Sequence, residues 1–211
     1  MTRLLDVGLE QLTVIVYRMG EVAEKVMTTS FNGFITGKDT TSTVQDVSEM
    51  LSAMSVKVEN KAFELIAKYQ PVASDLRIIN SYMKIAYDFE RYGRYAWDIS
   101  LTHKKLALTK CAKFDEKLRE LVQKVATMVG KSVEALKSHD AKLAESLASI
   151  EEEVDTIFFK YLDELANSKM KIRSVMCNLL VSRYLERIAD HTTYVAESII
   201  YIVTGKKMSV R

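Results

Sequence analysis

Two pairs of acids stand four residues apart: Glu151 with Asp155, and Glu186 with Asp190. On a helix, carboxylates at i and i+4 lie one turn apart and aim along one face. Two such pairs on adjacent antiparallel helices give four carboxylates that can converge on a hard cation. Such oxygen-rich sites suit Mg²⁺, Mn²⁺, Ca²⁺ or iron better than soft-ligand zinc chemistry. The alternative is a solvated acidic face, because the repulsion of like charges at this spacing is only a few tenths of a kcal/mol.

The helices that would carry these acids follow from what the chain lacks. It has 211 residues with only seven Gly and one Pro, too few turn formers for a β protein. Hydrophobic residues make up 48% and charged residues 27%, ample for a core. The net charge of +2 gives no basic excess of the kind that marks a nucleic-acid binder. Cys111 and Cys177 form no CxxC pair, which argues against a disulfide framework or a structural zinc and for a reducing compartment. The N-terminal segment lacks a secretory h-region and no apolar run reaches membrane-spanning length, so a cytoplasmic location is expected.

The periodicity predicts six helices, over about 4–35, 42–69, 72–103, 113–138, 140–168 and 171–204. Gly33, Gly37 and Gly205 mark ends, and Pro71 is placed as an early residue of the third helix. An offset of 96 carries Arg77 onto Arg173, Glu90-Arg91 onto Glu186-Arg187, and Glu59 onto Asp155. It also lays the stripe Ile85, Phe89, Tyr92, Ala96, Ile99 over Val181, Leu185, Ile188, Thr192, Val195. The expected fold is therefore all-α, two tandem three-helix bundles with pseudo-symmetric halves, 1–108 and 109–211.

On a helical wheel Glu186, Asp190 and Glu197 fall roughly 140° to 180° from the apolar stripe of the last helix. Any metal bound there is expected on the outer surface of the bundle. His191 adjoins Asp190 and reads as a surface residue or an extra ligand. No histidine stands three residues after a glutamate, so an inward-facing di-iron bundle is excluded. His103 and His139 fall near helix C-termini, where a partly charged imidazole is favourable. Ser74 and Asp75 suit a helix start. Arg77 and Arg173 are either structural or form a corner that reaches a partner. Phe63, Phe89, Tyr92 and Trp97 are expected in the core, and the tail charges Lys206, Lys207 and Arg211 in solvent. No phosphate-binding glycine loop, Ser/His/Asp constellation or reactive cysteine is visible, so no enzyme is expected.

The segment LIAKYQPVASDLR, Leu65 to Arg77, and the segment YLERIADHTTYVAESIIYIVTG, Tyr184 to Gly205, carry a family resemblance. They resemble the PhoU family of phosphate-uptake regulators, whose pattern reads LIA-x-x-QP-x-A-x-DLR and, later, LERIGD. The resemblance runs over essentially the whole chain. It implies two symmetric three-helix bundles and negative control of phosphate uptake. Control would act through contact with the ATPase subunit of a high-affinity phosphate ABC transporter and, in many bacteria, with a sensor kinase. It also implies dimers or larger assemblies, and metal, chiefly iron, held by acid-x-x-x-Asp motifs on the second and third helices of each bundle. In this chain those motifs are Glu151 with Asp155 and Glu186 with Asp190. In the first half the third-helix motif reads Glu90 with Arg94, and the 96 offset gives Ser55 with Glu59 as its partner, so only the second bundle is expected to hold metal. The rival readings are a metal-storage or redox bundle and a metal-free helical adaptor.

Overall fold

Long amphipathic stretches with few helix breakers fold as long helices, and the computed structural model, which describes residues 3–106 and 116–210, is helical nearly throughout. The elements are α1 (Leu4–Thr36), α2 (Thr41–Tyr69), α3 (Ala73–Leu106), α4 (Glu116–Ser138), α5 (Ala141–Glu145), α6 (Leu147–Ala166) and α7 (Ile172–Thr204). In α1 the fully buried Leu12, Val16, Met19 and Ala23 recur every three or four residues and form the inward stripe. Left-handed glycines end α1 and α7: Gly37 (φ 73°) and Gly205 (φ 72°) close each last turn on a backbone carbonyl.

Helices α1, α2 and α3 form one bundle; α4, α6 and α7, with the one-turn α5, form the other. Each bundle follows the expected all-α plan. The bundles are not separate beads, however. α3 packs more extensively on α7 than on either helix of its own bundle, α1 also touches α4, and one continuous apolar core runs through both halves. Gly20 of α1 shows how tightly they join: a Cβ there would lie 3.2 Å from both Phe89 of α3 and Val133 of α4. The boundary placed at 108/109 falls in 107–115, outside the described residues, as does Cys111.

α3 and α7 run antiparallel, and their contacts are reciprocal. Arg77, at the start of α3, lies 5.7 Å over the Tyr201 ring at the end of α7. Arg173, at the start of α7, donates from Nη2 to the Lys105 carbonyl at the end of α3 (3.0 Å). Both pairs are related by the same 96 residues, as a two-fold relation between the halves requires.

Several expectations change. The fifth helix is interrupted at Ser146, whose hydroxyl donates to the Leu143 carbonyl (2.7 Å) and loosens the helix there. Pro71 lies outside α3: Gln70 leaves α2 in the left-handed region (φ 47°), and the helix starts only at Ala73. Phe63 is 54% exposed, because Ala62 and Leu65 occupy the inward positions of that turn. Phe89 and Tyr92 are buried as expected, and Trp97 is half-buried. His103 sits in the last turn of α3, as expected, with its ring edge-on to Phe34, and burial lowers its pKa, which works against the partial charge expected there. The tail charges Lys206 and Lys207 are exposed as expected, and Arg211 lies outside the described residues, but the segment between them turns back: Val210 is buried, and its N–H donates to Glu197 (3.1 Å).

Candidate functional site

Where the middles of α3 and α7 cross, polar groups from both halves meet. Asp88 and His191, 4% and 6% exposed, face each other with Oδ1 and Nδ1 2.8 Å apart. Burial pushes the Asp88 carboxyl above its ordinary range; the hydrogen bond and charge of His191 offset this only in part. One face further along, Tyr95 stacks on Tyr184, with centroids 6.1 Å apart. The Arg91 guanidinium lies 4.7 Å over the Tyr95 ring and donates to its hydroxyl (2.7 Å). Burial is the largest influence and opposes the Arg91 charge, but the Tyr95 bond together with the charges of Tyr95, Tyr87 and Glu90 holds the guanidinium protonated. Arg187, the repeat equivalent of Arg91, is also held in its charged form, first by a hydrogen bond with Tyr95. One tyrosine therefore receives an arginine from each half.

The two predicted carboxylates of α7, Glu186 and Asp190, are buried and not on the outer surface. Glu186 is 8% exposed and Asp190 1%, because α7 is packed on by α3, α4, α5 and α6, so little of its circumference is left to solvent. Each has an arginine on the preceding turn: Arg183 Nη1 lies 2.7 Å from Glu186, and Arg187 Nη1 lies 2.7 Å from Asp190. On α6, Glu151 is buried and Asp155 half-buried. The four are not gathered into one ligand set; among the described residues no three His, Cys, Asp or Glu side chains are grouped so as to hold a metal ion. As arranged, these residues do not fit a resident iron or magnesium: Glu186 and Asp190 each turn an oxygen to an arginine, and the four acids are not grouped.

In the first half the partner of Glu90 is not the Ser55 and Glu59 pair. Ser52 donates to Glu90 (3.3 Å), and Arg94 approaches it at 3.9 Å. Ser48, Ser52, Glu90 and Arg94 line one cleft of about 170 Å³ with Trp97. Glu59 is exposed on a different turn. The reason is length: α2 has 29 residues against 20 in α6, so the offset of 96 that relates the third helices fails for the second ones. The contact of Arg183 with the Phe158 ring sets the register of α6 on α7, and it makes Ser48 and Ser52 the counterparts of Glu151 and Asp155. Two hydroxyls and an arginine have replaced three acids.

His191 is the clearest revision. Read as a surface residue, it is enclosed by Tyr87, Tyr95 and Tyr194. Asp88, Tyr95 and Tyr184 went unnoticed in the sequence. The available signal was the line Tyr184, Arg187, His191 and Tyr194, large side chains at 3/4 spacing along one flank of α7 beside its apolar stripe. Arg77 and Arg173 both reach across to the other half. The Cys177 thiol is buried and pushed up to about 11, so it is an inert core group.

Two three-helix bundles, joined along their third helices and with their charges gathered at that seam, define a tandem-repeat helical-bundle protein. Among the described residues no helix is long and apolar enough to cross a membrane. The chain belongs to the PhoU domain family, which matches residues 16–102 and 118–199, once in each half. It is 32% identical to the phosphate-specific transport system accessory protein PhoU homolog of Clostridium acetobutylicum, covering 100% of this chain and 99% of that one. The crystal structure of PhoU from Pseudomonas aeruginosa superposes with a TM-score of 0.90 at 28% identity, over 95% of this chain and 99% of that one. The phosphate transport system regulatory protein PhoU from Streptococcus pneumoniae shares the fold, with a TM-score of 0.88 at 22% identity over 97% and 99% of the two chains.

Proposed function

We propose that this chain regulates inorganic phosphate uptake and phosphate homeostasis as a non-enzymatic accessory of a high-affinity phosphate transporter. The observation that carries the reading is end-to-end similarity to a phosphate-specific transport system accessory protein, with no large insertion or missing half. The chain would act in the cytoplasm, against the ATPase subunit of the transporter and, where one is present, a sensor kinase. Exposed apolar side chains support contact with a partner: Val56 and Phe63 lie on one face of α2, and Phe159 is on α6. They equally suit self-association into a dimer. The regulator reading requires no metal. A metal-storage bundle has no ligand group to draw on among the described residues.

Deleting the gene and following phosphate uptake and polyphosphate across phosphate levels tests the reading. Deregulated uptake, restored by the wild-type gene and not by a Val56→Lys/Phe63→Lys variant, is expected. Unchanged uptake and polyphosphate at every phosphate level would overturn it.

A further inference from the structure

A groove of about 540 Å³ opens between the first half of α3 and the last half of α7, closed at one end by the returning tail. That size suits a small organic ligand. Its walls are ordered along the antiparallel helices. Nearest the middle of the molecule stand Tyr87, 55% exposed, and Tyr194, both in ring contact with His191. Lys84 comes next, one turn before Tyr87. At the outer end lie Asn80, Ser81, and Lys207, whose ammonium sits 5.8 Å over the Tyr201 ring. The groove thus has an aromatic end and a cationic end.

Among the described residues neither Lys84 nor Lys207 has a carboxylate within ion-pair distance, although the exposed lysines Lys68, Lys104 and Lys137 do. The two acids of the groove have other hydrogen-bond partners: Asp88 faces His191 and feels the Lys84 charge only beyond ion-pair distance, and Glu197 accepts the N–H of Val210 and the hydroxyl of Ser209. A second observation points to a missing partner. The Ser81 hydroxyl is buried in the groove wall without a hydrogen-bond partner, and so is Nε of Arg77 one turn before it on the same face of α3. Buried donors of this kind are normally satisfied, and an anionic oxygen at the outer end would satisfy the hydroxyl.

From this arrangement we infer that the groove binds a small organic phosphate carrying a planar ring, a nucleotide in chemical terms. Its phosphates lie between Lys84, Lys207 and Ser81, and its ring lies against Tyr87 and Tyr194. Lysines serve as point-charge phosphate binders, and a ring beside tyrosines gains stacking. The site is independent of the transporter reading, since it asks nothing of any protein partner.

The test is titration calorimetry of the full chain with ADP, adenosine and inorganic phosphate. Saturable 1:1 binding of ADP is expected, with adenosine and phosphate each at least about tenfold weaker. Lys84→Ala/Lys207→Ala is expected to weaken ADP binding at least about tenfold, and Tyr87→Ala severalfold. These three side chains are exposed, so the variants keep the fold, which circular dichroism verifies. No saturation by ADP at about 1 mM, phosphate binding as tightly as ADP, or an unchanged affinity in the double variant would each overturn the proposal.

Discussion

Replacing Asp88 separates the packing of the α3–α7 seam from its charge. In Asp88→Ala the His191 Nδ1 loses its partner inside the protein, which costs about 1–3 kcal/mol. The vacated carboxyl leaves a small cavity worth about 1 kcal/mol more. Against this, the raised Asp88 pKa says that burying the carboxylate costs more than His191 returns, so removing it gives some stability back. The net loss is about 1–3 kcal/mol, which for a chain of this size lowers Tm by roughly 3–10 °C. Asp88→Asn keeps the shape and an acceptor for the imidazole but removes the carboxylate, so it stays within about 1 kcal/mol of wild type. The pH dependence has a definite sign. A carboxyl whose folded pKa is raised stabilises the fold below its unfolded pKa and loses that contribution as pH rises through the folded value. Asp88→Asn should therefore gain on wild type as pH climbs from about 4. Thermal and urea unfolding of the three proteins from pH 4 to 8 measures both effects. An Asn variant as damaged as the Ala variant at every pH would refute the balance argued here.

Three further outcomes are expected. Gln70 caps α2 in the left-handed region at φ 47°, so Gln70→Gly should stabilise by about 1 kcal/mol in urea unfolding. At Gly20 a side chain meets Phe89 and Val133, so Gly20→Val should destabilise by about 2 kcal/mol or more, whereas Gly130→Ala, with only the end of Glu24 nearby, should stabilise by about 0.5–1 kcal/mol. Chelation with EDTA should move Tm by less than about 1 °C, since a saturating metal worth a hundredfold its Kd would add about 2.7 kcal/mol; a large drop reversed by iron or manganese in the scan would refute the misfit of the carboxylates to a metal.

The helices were legible because their punctuation is sparse and strong: Gly37, Gly205 and the Gln70-Pro71 step mark three ends, and the 3/4 stripes fix the inward faces. The seam was not. A wheel built on α7 alone assigns everything opposite Val181 and Leu185 to water. Only the helices packed around α7 turn Asp190 and His191 into interior residues. The degenerate first site was misplaced for a related reason. Ser55 follows from carrying one offset across a whole repeat, and α2 outruns α6 by about two turns, a difference that periodicity within either helix does not reveal. Phe63 failed on a finer scale, one position off the stripe of Ala62 and Leu65.

The same divergence limits where the groove can work. Two-fold related halves ought to produce two equivalent grooves, one at each end of the α3–α7 pair. The 96-residue relation places Met176 and Leu180 where Asn80 and Lys84 stand, and Arg183 where Tyr87 stands. Arg183 is already bound to Glu186, and Tyr201 is answered by Lys105, whose carbonyl is taken by Arg173. The second end therefore lacks the lysine on the third helix and the stacking tyrosine, and in sequence Cys111 stands where Lys207 does. Duplication built a symmetric seam, and substitution left one end of it able to recognise an anion. The binding stoichiometry then has to be one ADP per chain; two sites of equal affinity would mean that these side chains do not govern recognition.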